Sequence, residues 1–118
     1  MKNVYHWLIG CVSKRRMALL LYRRGMIRAK KHDHRGAIDD YTATIESSDT
    51  PAEIKAMTLY NRALVYSALD ERSKAIEDLQ SVLSMAGASS QVKKEANRRL
   101  ARVQLRSDRP GTRATSHA

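Results

Sequence analysis

Cysteine is nearly missing: Cys11 is the only one among 118 residues. A single thiol excludes an intramolecular disulfide and a cysteine-rich metal site, and it fits a reducing compartment best. Two prolines and five glycines are too few to interrupt long helices. Val, Ile and the aromatics are sparse while Ala, Leu, Arg, Lys and Met are plentiful, a balance that favours helix over strand. The longest apolar runs, Trp7 to Val12 and Met17 to Tyr22, fall far short of a membrane-spanning segment. No Gly-rich phosphate loop, nucleophile elbow or metalloprotease helix occurs, and Ser and His never share a recognisable catalytic frame. Neither catalysis nor a cofactor is therefore expected.

What remains is an ordinary folded composition, 42% hydrophobic and 29% charged. The length allows one domain with a modest core. The net charge of +10 is unevenly placed. Residues 1–36 carry ten Lys/Arg against one acid, residues 37–90 four against nine, and residues 91–118 eight against two. This basic–acidic–basic layout makes the two ends electrostatically distinct from the middle.

Displaced by 38 residues, the chain falls on itself. Tyr22-Arg23-Arg24-Gly25 aligns with Tyr60-Asn61-Arg62-Ala63, and Ala37-Ile38-Asp39-Asp40-Tyr41 with Ala75-Ile76-Glu77-Asp78-Leu79. A fainter third copy places Leu100-Ala101-Arg102-Val103 on Arg62-Ala63-Leu64-Val65. A fixed period of this size signals stacked supersecondary units. Each unit reads as two helices. In the second, Met57, Tyr60, Ala63, Leu64 and Tyr66 recur at helical steps, Asp70-Glu71-Arg72-Ser73 breaks the pattern, and Ala75, Ile76, Leu79, Val82 and Leu83 form another face ending near Gly87. The first unit repeats this around the break Lys31-His32-Asp33-His34. Thr50-Pro51-Ala52-Glu53 reads as a capping box opening the third helix, and the last helix starts near Ser89 or Ser90.

These residues resemble the tetratricopeptide repeat. A tyrosine, a small residue three later, an alanine twelve further on and a bulky residue four after that appear as Tyr22, Gly25, Ala37, Tyr41 and as Tyr60, Ala63, Ala75, Leu79. The resemblance covers about residues 18–106 and implies an all-α, helical-hairpin solenoid of about two and a half repeats. The 38-residue period exceeds the usual 34, with the extra residues near Ser48 to Glu53 lengthening the helix after Pro51. Residues 1–17 form a basic lead segment, and residues 107–118 a flexible tail.

The resemblance implies a concave groove lined by the first helix of each unit. Tyr22, Met26 and Ala29 would come from the first, Tyr60, Asn61, Leu64 and Ser67 from the second, and Arg98, Arg102 and Leu105 from the last helix. Such a surface suits a peptide or helix with apolar anchors and acidic flanks. Some family members grip a terminal carboxylate; Asn61 and Arg99 match two of those places, but Tyr22 and Met26 occupy others, so that activity is not expected. Arg24 and Asp40, like Arg62 and Asp78, lie sixteen apart and are expected to pair between the helices of each unit.

Other motifs read blandly. His32-Asp33-His34 is expected to be a turn rather than a metal site. Leu8-Ile9-Gly10-Cys11 resembles the box before a lipidated cysteine, but only Val4 to Ile9 precedes it and His6 interrupts that stretch. Val4, Trp7, Leu8 and Cys11 instead form an apolar helical stripe. The expected function is a cytoplasmic protein-interaction module, an adaptor or scaffold that captures a peptide. The alternative is a basic accessory protein touching nucleic acid or an anionic membrane through residues 14–35 and 93–106. So few repeats stand near the minimum for independent stability, and dimerisation, or stacking on a partner through the open first unit, would relieve this.

Overall fold

The computed structural model describes the backbone of residues 2–108 and the side chains of residues 14–106. Among these residues there are five helices and no strand: α1 Lys2–Lys30, α2 His34–Glu46, α3 Ala52–Ala68, α4 Arg72–Ser84 and α5 Ser90–Asp108. None of them is long and apolar enough to cross a membrane. The backbone of α1 crosses residue 17 without a break, so the lead segment continues the first repeat helix. The expectations for the side chains of Val4, Trp7, Leu8 and Cys11, and for the tail after residue 108, lie outside the described residues.

Consecutive helices pack together. The pairs α1–α2 and α3–α4 share the most contact, α4–α5 and α2–α3 join them, and α3 also touches both α1 and α5. The three odd-numbered helices therefore lie side by side. Two apolar clusters hold the stack. Tyr22, Ala37, Tyr41 and Val65 tie α1 and α2 to α3. Leu59, Ala63, Ala75, Leu79, Val82, Ala96 and Val103 tie α3, α4 and α5. Small residues permit the close approach. A Cβ on Gly25 would stand 2.6 Å from Tyr41 Cε1, well inside van der Waals contact.

The 38-residue period extends to single hydrogen bonds. After α1, the N–H of Asp33 donates to the Arg28 carbonyl at 2.8 Å, and that of His32 to Ala29 at 3.1 Å. After α3, the N–H of Glu71 donates to Tyr66 at 2.8 Å, and that of Asp70 to Ser67 at 3.0 Å. These are Schellman motifs, which satisfy the last carbonyls of a helix through a residue in left-handed conformation. His32 (φ 63°) and Asp70 (φ 61°) hold that position without being glycine, as residue types that tolerate it. Asp33 then caps α2, its carboxylate accepting from the Gly36 N–H at 3.1 Å. Ser89 caps α5 in the same manner, accepting from Val92 N–H at 3.2 Å.

Two local expectations are corrected. Thr50 does not cap α3; its hydroxyl donates to the Thr44 carbonyl at 2.7 Å, and Pro51 precedes α3 with no side-chain cap. The free carbonyls ending α2 are the nearer demand, and the Thr50 hydroxyl meets one of them. Gly87 does not end α4 either, because the helix stops at Ser84 with Met85 extended. The glycine is needed for space instead, since a Cβ there would lie 2.5 Å from that of Ala52.

Candidate functional site

Each hairpin is clamped by an arginine–aspartate pair, as the sixteen-residue spacing predicts. Arg24 Nε and Nη2 donate to the two carboxylate oxygens of Asp40 at 2.9 and 2.8 Å. Arg62 grips Asp78 in the same bidentate way, at 2.8 Å for both bonds. These hydrogen bonds are the main reason both guanidinium groups hold their protons more tightly than usual. Asp40 and Asp78 are both buried. Arg28 also reaches Asp40 at 3.3 Å. Arg62 instead extends to the Thr42 hydroxyl at 3.0 Å and lies over the Tyr66 ring, 5.6 Å from its centroid. The clamps fix how α1 and α3 sit on their partners, and thereby fix the surface between α1 and α3.

That surface holds a cleft of about 420 Å³. Met26 and Ala29 from α1 face Asn61, Leu64, Val65 and Ala68 from α3, with Tyr41 of α2 also contributing. Lys30, His32 and His34 also line it. A smaller cleft of about 230 Å³ lies between α3 and the start of α5, lined by Met57, Tyr60, Asn61, Gln91, Val92 and Glu95. Asn61 belongs to both, so the two clefts meet along the row of odd-numbered helices.

Of the residues expected in a groove, Met26, Ala29, Asn61 and Leu64 line the larger cleft and Tyr60 the smaller. Tyr22 is a packing residue, only 9% exposed. Its ring lies 6.3 Å from that of Tyr41, and its hydroxyl accepts a hydrogen bond from Asn61 Nδ2 at 3.3 Å. Burial raises the affinity of Tyr22 for its proton, and the Asn61 bond partly opposes this. Burial likewise pushes the Tyr41 phenol up to about 12. Ser67 is half-buried and its hydroxyl has no hydrogen-bond partner among the described residues.

Arg98, Arg102 and Leu105 are exposed on α5 and line neither cleft. Glu95, which does line one, holds Arg98 at 3.1 Å, so the basic end anticipated for the groove is partly neutralised. The sequence reading missed Lys30, His32, His34, Tyr41, Val65 and Ala68 around the larger cleft. The repeat carried part of that signal: Met26 and Lys30 fall 38 residues before Leu64 and Ala68, so equivalent positions of α1 and α3 stand on both walls. No protein-family model, curated protein or solved structure matches this chain.

Proposed function

We propose that the chain is a tetratricopeptide-type interaction module that captures a peptide or helix of another protein and is not a catalyst. The observation that carries this is the larger cleft, with apolar walls from Met26, Ala29, Leu64 and Ala68 and a few polar side chains, Lys30, His32, His34 and Asn61, also lining it. Two hairpins alike down to their turn hydrogen bonds and arginine–aspartate clamps support the repeat assignment. Apolar walls with few oriented polar groups suit the anchor side chain of a ligand. Met26 adds an adaptable, unbranched contact. Lys30, which lines the cleft, favours an acidic flank on the peptide. The single cysteine fits a reducing compartment such as the cytoplasm.

The test is selection from a peptide library on purified, nuclease-treated protein, repeated with Met26→Glu/Leu64→Glu. Recovery of related peptides with an apolar anchor and acidic flank, lost in the double variant, is expected. A second reading, contact with a polyanion, rests on the exposed Lys14, Arg15, Arg16 and Arg23 of α1 and Arg98 and Arg102 of α5. Nucleic acid that copurifies and whose removal abolishes every interaction would replace the first reading with the second.

A further inference from the structure

The flank of α1 turned away from its own hairpin is not finished like its counterpart on α3. Arg16, Leu20, Ile27 and Lys31 are spaced by four, seven and four residues. At about 100° per residue they fall within about 60° of arc, forming one stripe. Leu20 is 51% and Ile27 53% exposed. The 38-residue repeat shows what this stripe is equivalent to. Its counterparts on α3 are Ile54, Thr58, Val65 and Leu69. Thr58 and Val65 are buried. Ile54 and Leu69 pack against the cluster that Val65 forms with Tyr22, Ala37 and Tyr41 of the preceding hairpin. The stripe on α3 is thus a stacking face that α1 and α2 cover, whereas on α1 the same stripe is open.

The substitutions along the stripe define a cover. The central pair is buried Thr58 and Val65 on α3 but open Leu20 and Ile27 on α1, wholly apolar, and the outer pair changes from Ile54 and Leu69 to Arg16 and Lys31. A helix lying there meets hydrocarbon in its middle and a cation at each end. A second copy of α1 suits this poorly, because residues 14–31 carry eight Lys/Arg and no acid, and like charges would face one another. Met17, 55% exposed, lies beside Leu20 at its N-terminal end, but over the next two turns the apolar strip is narrow, flanked by Arg23 on one side and by Arg24, tied to Asp40, on the other. That width fits the seam of one helix better than a membrane surface, which needs a broader apolar face.

We propose that the outer flank of α1 is a second docking surface. Its occupant is an amphipathic helix of a partner protein, with apolar residues two turns apart and acidic residues toward both ends. The partner helix takes against α1 the place that α2 takes against α3. This surface is separate from the cleft, so either can fail without the other.

The test uses the full chain and a fluorescent synthetic helix of about twenty residues, the length of a few helical turns. It carries leucines at i, i+3 and i+7 in its centre and glutamates in both end turns. A twin carries lysines in place of the glutamates. Fluorescence anisotropy at physiological salt is expected to show the glutamate helix binding about tenfold or more tightly than the twin. Leu20→Glu/Ile27→Glu should abolish binding while circular dichroism and melting temperature stay at wild-type values. Arg16→Glu/Lys31→Glu should reverse the preference toward the lysine twin, a result that loss of folding cannot produce. Equal binding of the two helices, or indifference to both double variants, would overturn the proposal. So would sedimentation showing a dimer that Leu20→Glu/Ile27→Glu dissolves, which would assign the face to a second copy. Binding to phosphatidylserine-containing vesicles in preference to the glutamate helix would assign it to a membrane.

Discussion

Gly25 and Tyr41 form a matched pair whose counterparts in the second hairpin are Ala63 and Leu79. The larger ring in the first hairpin takes the volume that the Ala63 methyl takes in the second. Gly25→Ala should therefore overpack the α1–α2 contact and cost about 1–3 kcal/mol in urea unfolding. In a Tyr41→Leu background the same change should cost far less, and a double-mutant cycle reads the difference. The clamps differ in a testable way too. Arg24 is 55% exposed and shares Asp40 with Arg28, whereas Arg62 is 17% exposed and is the only cation on Asp78 among the described residues. Arg62→Met leaves a buried carboxylate alone and should cost about 3–5 kcal/mol. Arg24→Met should cost clearly less, because Arg28 still reaches Asp40. Tyr41 adds a pH dependence. Its pKa lies above the unfolded value, so the native state keeps a proton that the unfolded state has lost. Its contribution is complete below about pH 10, where an unfolded tyrosine is still protonated. It is lost as pH rises to about 12. Thermal melts between pH 9 and 12 should fall more steeply for the wild type than for Tyr41→Phe.

Among the elements, the turns closing α1 and α3 carry the clearest liability. Asp70 pairs with Arg72 at 3.1 Å but is largely exposed, and such pairs add about 0–1 kcal/mol. Its left-handed backbone costs a non-glycine residue about 1–2 kcal/mol. Asp70→Gly should raise stability by about 1 kcal/mol net, seen as a later urea midpoint, and Asp70→Ala should lower it. The helices themselves were legible in the sequence because Ala37, Tyr41, Ala63, Ala75 and Leu79 recur at helical spacing and every one is buried. The polar breaks were legible for the same reason, and Ser89 was read correctly as a start. Thr50 and Gly87 were misread. Each has a residue type that suits a helix end, but the demand each one meets lies elsewhere, at the Thr44 carbonyl and at Ala52. Local spacing carries no information about those neighbours. The cleft was half legible for a similar reason. Met26, Ala29, Asn61 and Leu64 were implied by the resemblance to a tetratricopeptide repeat, while His32, His34 and Tyr41 enter it only through the way the turn and α2 fold back.

At the scale of the whole molecule, the two ends of the stack are unlike. On α5 the positions equivalent to Leu59, Ala63 and Tyr66 are Asn97, Ala101 and Gln104, all exposed. The face that would meet a further helix is thus polar or small, as suits the closing element of an array. At the other end α1 leaves Leu20 and Ile27 open between cations. Between them, α1, α3 and α5 present the two clefts that meet at Asn61. This inner surface is the one proposed to capture a partner. The most direct measurement is a titration of the chain with its selected peptide, following the methyl resonances of Met26, Ala29, Leu64 and Ala68 at low and high salt. Capture in the cleft should concentrate the shifts at those four methyls and leave an affinity that keeps its apolar part as salt rises. Shifts absent from the cleft, with binding that collapses by about a thousandfold as salt rises, would contradict it and place recognition on the exposed arginines and lysines.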